Sequence, residues 1–295
     1  MNLKRAILGF SLSFFFLLFF VYMVSCVNWF FDSSSLKINK ESLLGNISAS
    51  QTIVMPEINA GSAMSSESNL SDTDKVVFEK NINLKLPIAS LTKLMTAVIV
   101  LDRYDLSQII TVSKEASMQD LMKQDVKLGD SLSVENLFNI MLIKSSNKSA
   151  YALSEIIGEK EFVSLMNKKA KDLGLNDTFF SDPTGLDSKN ISTANDLTKL
   201  AKYILKGYPK ILDTSRLKEM DIPGFGKIAN TDQLLDEIPE VICSKTGFTA
   251  DAKGCLLLIV NNPKNNGYLI NVILGADDRF LEMRKLINWS NEICK

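Results

Sequence analysis

Histidine is absent from all 295 residues of the chain. Without it no Ser-His-Asp or Cys-His nucleophile can be assembled, nor a zinc site of the HExxH kind. A nucleophilic serine here must take its base from lysine or a carboxylate. Cysteine is sparse: Cys26, Cys243, Cys255 and Cys294 include no CxxC pair and, with no histidine to join them, make no zinc cluster. An excess of either charge is also lacking. The 33 basic and 34 acidic residues leave a net charge of −1, which implies no field for nucleic acid.

Charge is unevenly spread, however. There is none from Ala6 to Phe31, a run that holds half of the 16 phenylalanines, with Lys4 and Arg5 before it and Asp32 after. That length spans a bilayer, and the preceding positive charges keep the N-terminus inside the cell. Residues 1–31 are therefore expected to form an uncleaved signal anchor, one transmembrane helix touching the membrane through residues 6–31. A cleaved signal is the rival, although no small-x-small site follows the run. Met23-Val24-Ser25-Cys26 only faintly matches a lipoprotein site. Residues 32–57, polar and serine-rich, read as a flexible extracytoplasmic linker, and residues 58–295 as one folded domain.

Within that domain Asn59–Met64 and Lys75–Glu79 read as strands joined by the polar stretch Ser65–Asp74. Pro87 precedes a helix with apolar residues at 91, 94, 95, 98 and 101. Gln108–Val112 reads as a strand. Helices are expected at Ser133–Leu142, Lys148–Ile157, Glu161–Leu173 and Leu197–Leu205, and turn chemistry at Asp182-Pro183-Thr184-Gly185. Val241–Ser244, Cys255–Val260 and Leu269–Leu274 read as strands. The closing helix, Asp277–Ile293, carries an apolar stripe that either packs on the sheet or meets a membrane surface. Strands at both ends with helices between them predict an α/β (α+β) fold, one sheet built from both ends around a mostly helical insertion. Cys243 and Cys255 are either small core residues or a disulfide across a hairpin.

Three motifs carry chemistry. Ser90-Leu91-Thr92-Lys93 puts a hydroxyl and an amine on one helical face. Ser145-Ser146-Asn147 follows an apolar helix, and Lys245-Thr246-Gly247 ends an apolar strand. Alone, each has an ordinary structural explanation as helix cap, polar turn or strand end. In this order, S-x-x-K, S-x-N and K-T-G resemble the set of penicillin-binding proteins and class A β-lactamases. The text around Ser90, Phe180–Asp187, Ser192–Leu197 and Lys245–Thr249 narrows this. About residues 58 to 292 resemble the low-molecular-mass D-alanyl-D-alanine carboxypeptidases, serine peptidases of the β-lactamase/D,D-peptidase superfamily.

The resemblance implies an antiparallel sheet flanked by helices and an acyl-enzyme mechanism with no cofactor or metal. Ser90 is then the nucleophile, Lys93 its general base and Ser145 a proton relay. Asn147 binds the substrate's peptide group and positions Lys93. The backbone N–H groups of Ser90 and Phe248 form the oxyanion hole. Lys245 and Thr246 bind the terminal carboxylate, and Gly247 leaves the strand edge open for substrate. Arg279 either joins the carboxylate site or simply pairs with Asp277 or Asp278. Peptidoglycan stem peptides are the implied substrates, β-lactams covalent inhibitors, and the implied location is the bacterial cell membrane with the domain outside.

The chain departs from the pattern at Ser146, in place of a glycine, at Lys148, in place of an acidic residue, and at Ala252-Lys253-Gly254. Rival readings are a D,D-endopeptidase, a β-lactamase using a carboxylate such as Glu161 to activate water, and a catalytically weak, tethered wall-binding protein.

Overall fold

The computed structural model describes residues 55–69, 75–120, 125–238, 240–262 and 267–293. The expected membrane span and nearly all of the expected linker lie outside them. Among the described residues no helix is long and apolar enough to cross a membrane.

The chain opens with β1 (Ser62–Ser68), β2 (Lys75–Lys80) and β3 (Leu86–Pro87). A 3-10 turn at Ala89–Thr92 leads into α1 (Lys93–Arg103), followed by β4 (Ile109–Thr111) and α2 (Lys114–Ser117). Next come β5 (Ser131–Ser133), α3 (Val134–Ile143), α4 (Asn147–Glu155) and α5 (Glu159–Asp172). Then follow β6 (Ile191–Ser192), α6 (Ala194–Gly207), α7 (Pro209–Ser215), β7 (Glu219–Ile222) and β8 (Gly226–Ala229). The last elements are β9 (Val241–Thr249), β10 (Lys253–Asn261), β11 (Tyr268–Ala276) and α8 (Arg279–Ile293).

One antiparallel five-stranded sheet has the order β2-β1-β11-β10-β9, so both ends of the described chain meet at its centre. Ser62 pairs with Leu274 and Ser68 with Tyr268. On one face Met283, Leu286, Ile287 and Trp289 of α8 pack against Leu256, Leu258, Leu269 and Ile273. The apolar stripe of the closing helix is thus spent on the sheet. The other face, with Leu257, Ile259, Val272 and Leu274, meets the helical insertion. There every residue of α1 from Lys93 to Val100 is buried, as befits a helix enclosed on all sides. The insertion is mostly helical, and its three small two-stranded sheets are β3–β6, β4–β5 and β7–β8.

Caps explain the helix starts. The Ser133 hydroxyl accepts from Asn136 N (3.1 Å), that of Ser146 from Ser149 N (3.1 Å), and that of Thr193 from Asp196 N (3.0 Å). The expected helices fall within a few residues of α3 to α6.

The first strand differs from expectation. It starts at Ser62 and runs through Ser65–Ser68, which the serines had marked as a link. Ser62, Ser65, Ser66 and Ser68 are buried; the β11 ladder satisfies their backbone and small side chains fit between two covered faces. Ser65 also meets Ser290 of α8, Oγ to Oγ 3.0 Å. The possible Cys243–Cys255 disulfide is absent. Cys243 stands opposite Ile259 and Cys255 opposite Gly247, and both are free, buried thiols. Helix α7 and the β7–β8 hairpin have no counterpart in the sequence reading, because four-residue strands in a polar stretch give too little periodicity.

Candidate active site

The three motifs converge where α1, the α3–α4 junction and β9 meet. Ala89 has φ 47° and Ser145 φ 56°, the left-handed region that non-glycine residues avoid at a cost of about 1–2 kcal/mol. Each kink aims a hydroxyl inward: Ser90 just after Ala89, and Ser145 itself.

Lys93 is fully buried. Its Nζ lies 2.9 Å from Ser90 Oγ, 2.6 Å from Asn147 Oδ1 and 2.6 Å from the Thr184 carbonyl. The carbonyl and the Asn147 amide oxygen can only accept. A neutral amine therefore gives them its two hydrogens and keeps its lone pair for the third direction, toward Ser90. The geometry that seats the amine also directs its lone pair at Ser90.

Lys245, 1% exposed, donates to Ser145 Oγ at 2.9 Å and to the Thr246 carbonyl at 3.0 Å. The second and third motifs are thereby tied together. Gly247 also permits a close approach of backbone. A Cβ there would lie 3.0 Å from the Ile88 carbonyl oxygen and 3.1 Å from Ser90 N. Its bare Cα lets β9, an edge strand, approach the Ser90 turn. Phe248 is 64% exposed beyond it.

Asp182-Pro183-Thr184-Gly185 is more than a turn. The Asp182 carboxylate accepts from Thr184 N (2.6 Å), Thr184 Oγ1 (2.6 Å), Gly185 N (2.7 Å), Asp187 N (2.8 Å) and Asn190 Nδ2 (2.7 Å). Burial works to raise its pKa, but these bonds outweigh it and hold the carboxyl below its ordinary value. The loop so fixed presents the Thr184 carbonyl to Lys93 and the Pro183 carbonyl to Thr96 Oγ1 (2.6 Å). Its sequence signal was visible as turn chemistry; its destination was not.

Three further residues were missed. Asp120 accepts from Asn147 Nδ2 at 3.2 Å, which fixes the amide with Oδ1 toward Lys93. Thr231 Oγ1 lies 2.5 Å from Thr246 Oγ1. Asp232, buried behind β9, accepts from Ser244 Oγ at 2.5 Å, and burial raises its pKa despite that bond and nearby Lys245 and Arg279. No motif spacing announces any of them.

Arg279 is half-buried, with its guanidinium 4.5 Å from the Phe280 ring centroid and its Nε without a hydrogen-bond partner. The expected alternative partners are engaged elsewhere. Asp277 pairs with Lys253 at 2.9 Å, and Asp278 accepts from the N–H groups of Phe280 and Leu281 at 3.0 Å each. Glu161 is exposed in the first turn of α5 and makes none of the contacts described for Ser90 or Lys93.

A buried central helix with Lys93 at its start and Ser90 in the turn just before it, against the edge of an antiparallel sheet, defines the serine D,D-peptidase fold. The chain belongs to the D-alanyl-D-alanine carboxypeptidase family, whose model matches residues 48–278, and is an enzyme of that penicillin-binding, serine-peptidase group. It is 35% identical over 255 residues to the D-alanyl-D-alanine endopeptidase of Escherichia coli (strain K12), across 82% of this chain and 80% of that protein. It is 33% identical over 234 residues to the D-alanyl-D-alanine carboxypeptidase DacF of Bacillus subtilis (strain 168), across 74% of this chain but only 59% of that protein. Its fold superposes on penicillin-binding protein D2 of Listeria monocytogenes in an ampicillin-bound form, with TM-score 0.70, 26% identity and coverage of 80% and 99% of the two chains.

Proposed function

We propose that this enzyme cleaves the terminal D-Ala–D-Ala bond of peptidoglycan stem peptides through an acyl-enzyme on Ser90. The observation that carries the reading is the Lys93 amine 2.9 Å from Ser90 Oγ, its other directions taken by Asn147 Oδ1 and the Thr184 carbonyl. Lys93 takes the serine proton as Oγ attacks the carbonyl. The tetrahedral oxyanion rests on the Ser90 and Phe248 N–H groups. Ser145, held by Lys245, returns a proton to the leaving D-alanine amine. The terminal carboxylate lies on Lys245, Thr246 and Arg279, while Asn147 offers a second Nδ2 hydrogen to the peptide carbonyl. Water then attacks the ester and frees Ser90.

The same pocket would open the strained amide of a β-lactam. Labelling of Ser90 by a fluorescent penicillin, with release of D-alanine from a pentapeptide, tests the assignment. Absence of both labelling and D-alanine release, with Ser90→Ala indistinguishable from wild type, would leave a wall-binding role. Rapid loss of label would mean a β-lactamase, for which exposed Glu161 offers no support.

A D,D-endopeptidase is the second reading. The chain spans 80% of the E. coli relative that bears that name and 59% of the B. subtilis carboxypeptidase. Incubation with cross-linked muropeptides beside the pentapeptide separates the two. The apolar run of residues 6–31 after Lys4 and Arg5 supports a membrane anchor with the enzyme outside the cytoplasm, joined through the linker 32–57 to the catalytic domain 58–295. Membrane fractionation with protease accessibility tests it.

A further inference from the structure

We infer that Thr231 is a positioning residue of the carboxylate subsite, acting through the hydroxyl of Thr246; the inference rests on the carboxylate role proposed for Thr246. Thr231 comes from the segment after the β7–β8 hairpin, outside all three motifs. It is held from both sides. Asn230 Nδ2 donates to the carbonyls of Ser215 (3.0 Å) and Leu217 (2.8 Å). Asp232 is fixed by Ser244 Oγ (2.5 Å) and Leu234 N (2.9 Å). Thr231 N itself donates to the Ile143 carbonyl at 3.3 Å, at the end of the helix that leads into Ser145. One residue therefore staples the second motif to the third.

The consequence lies in the protons. Two hydroxyls 2.5 Å apart share one hydrogen between their oxygens, and each hydroxyl owns only one. If Thr246 donates to Thr231, nothing is left for a ligand. If Thr231 donates, the Thr246 hydrogen is free to point away toward an anion, and its oxygen is already polarised by the bond it accepts. A substrate carboxylate selects the second order. Thr231 is half-buried and Thr246 buried, so water competes weakly for either hydroxyl. The neighbouring Lys245 and half-buried Arg279 set the sign of the ligand as negative, and buried Asp232 stands behind them.

The test compares Thr231→Val, Thr231→Ser and Thr246→Val. Kinetics are read on a diacyl-Lys-D-Ala-D-Ala peptide, and acylation on a penicillin and its methyl ester. Removing a hydrogen bond that serves an ionised group is expected to raise KM about tenfold in Thr231→Val, with kcat within about twofold. The free penicillin should lose its advantage over the ester by a similar factor, and Thr231→Ser should restore both. An unchanged KM in Thr231→Val, beside a raised one in Thr246→Val, would overturn the inference and leave the subsite standing. Equal losses on penicillin and ester would also overturn it, since they would mark a general structural defect. If Thr246→Val itself left the carboxylate preference intact, the underlying subsite assignment would fall instead.

Discussion

Replacing Gly185 with alanine separates two costs that are usually confounded. Gly185 has φ +85°, and a Cβ on it would lie 2.0 Å from the Ala89 carbonyl oxygen, 2.4 Å from its carbon and 3.0 Å from Ser90 N. Gly158 also has a positive φ, +88°, with nothing within 4 Å of its Cβ position. Gly158→Ala should therefore show the strain of a positive φ without a clash, on the order of 1–2 kcal/mol. Gly185→Ala adds an overlap with backbone, which cannot swing aside as a side chain can, and this overpacking costs a further 1–3 kcal/mol or so. The total of about 2–5 kcal/mol corresponds to a fall in Tm of roughly 5–20 °C for a domain of this size. The displaced atoms are the turn that carries Ser90, and a shift of about 1 Å there should slow acylation on the order of a hundredfold. Thermal melts and stopped-flow labelling with a fluorescent penicillin measure the two effects. Equal Tm losses in the two variants, with Gly185→Ala labelled at the wild-type rate, would refute the reasoning.

Lys93→Arg keeps a cation beside Ser90 but cannot surrender its proton, so labelling should fall by about 10²–10⁴-fold; a wild-type rate would remove Lys93 as base. Asp182 has a carboxyl pKa held below its unfolded value, so its contribution is present above the ordinary carboxylate range and lost as pH falls through its folded value. Asp182→Asn should lower stability at neutral pH by about 1–3 kcal/mol and flatten the acid limb of stability against pH; urea titrations from pH 7 to pH 3 would expose an unchanged limb. Burial pushes the Cys243 and Cys255 thiols up to about 11 from an ordinary 9.0. The unfolded chain loses those protons first, so stability should drop as pH rises between these values. A drop of the same size in Cys243→Ala/Cys255→Ala would assign it to other groups.

The three motifs were legible because each sits on an element with its own strong signal. The stripe at 91, 94, 95 and 98 predicts a buried helix, and α1 is buried at every residue from Lys93 to Val100. The helices capped by Ser133 and Thr193 likewise start within a few residues of where the sequence placed them. What escaped was whatever depends on contacts between distant segments. Ser65–Ser68 have the composition of a loop and become a strand because β11 supplies their partners. Thr231 and Asp232 look like any polar pair, and only the path of the β7–β8 hairpin sets them behind Lys245. The Asp182 turn was recognised from local chemistry, yet its carbonyls acquire meaning only against Lys93 and Thr96. Gly247 was singled out for an open strand edge, whereas the close approach of the Ile88–Ser90 backbone shows only in three dimensions.

The pairing of β1 with β11 imposes an order of events on the making of this enzyme. Ser62 cannot find Leu274 until almost the whole domain has been synthesised, and closing so long a loop is slow relative to local helix formation. The helix that begins at Lys93, just after Ser90, is made early, while Lys245 reaches it only once β9 has docked on β10. A nascent or truncated chain is therefore expected to hold a serine and a lysine but no acylating site. Hydrolytic competence arrives with the final strand, which keeps an unfinished enzyme inert.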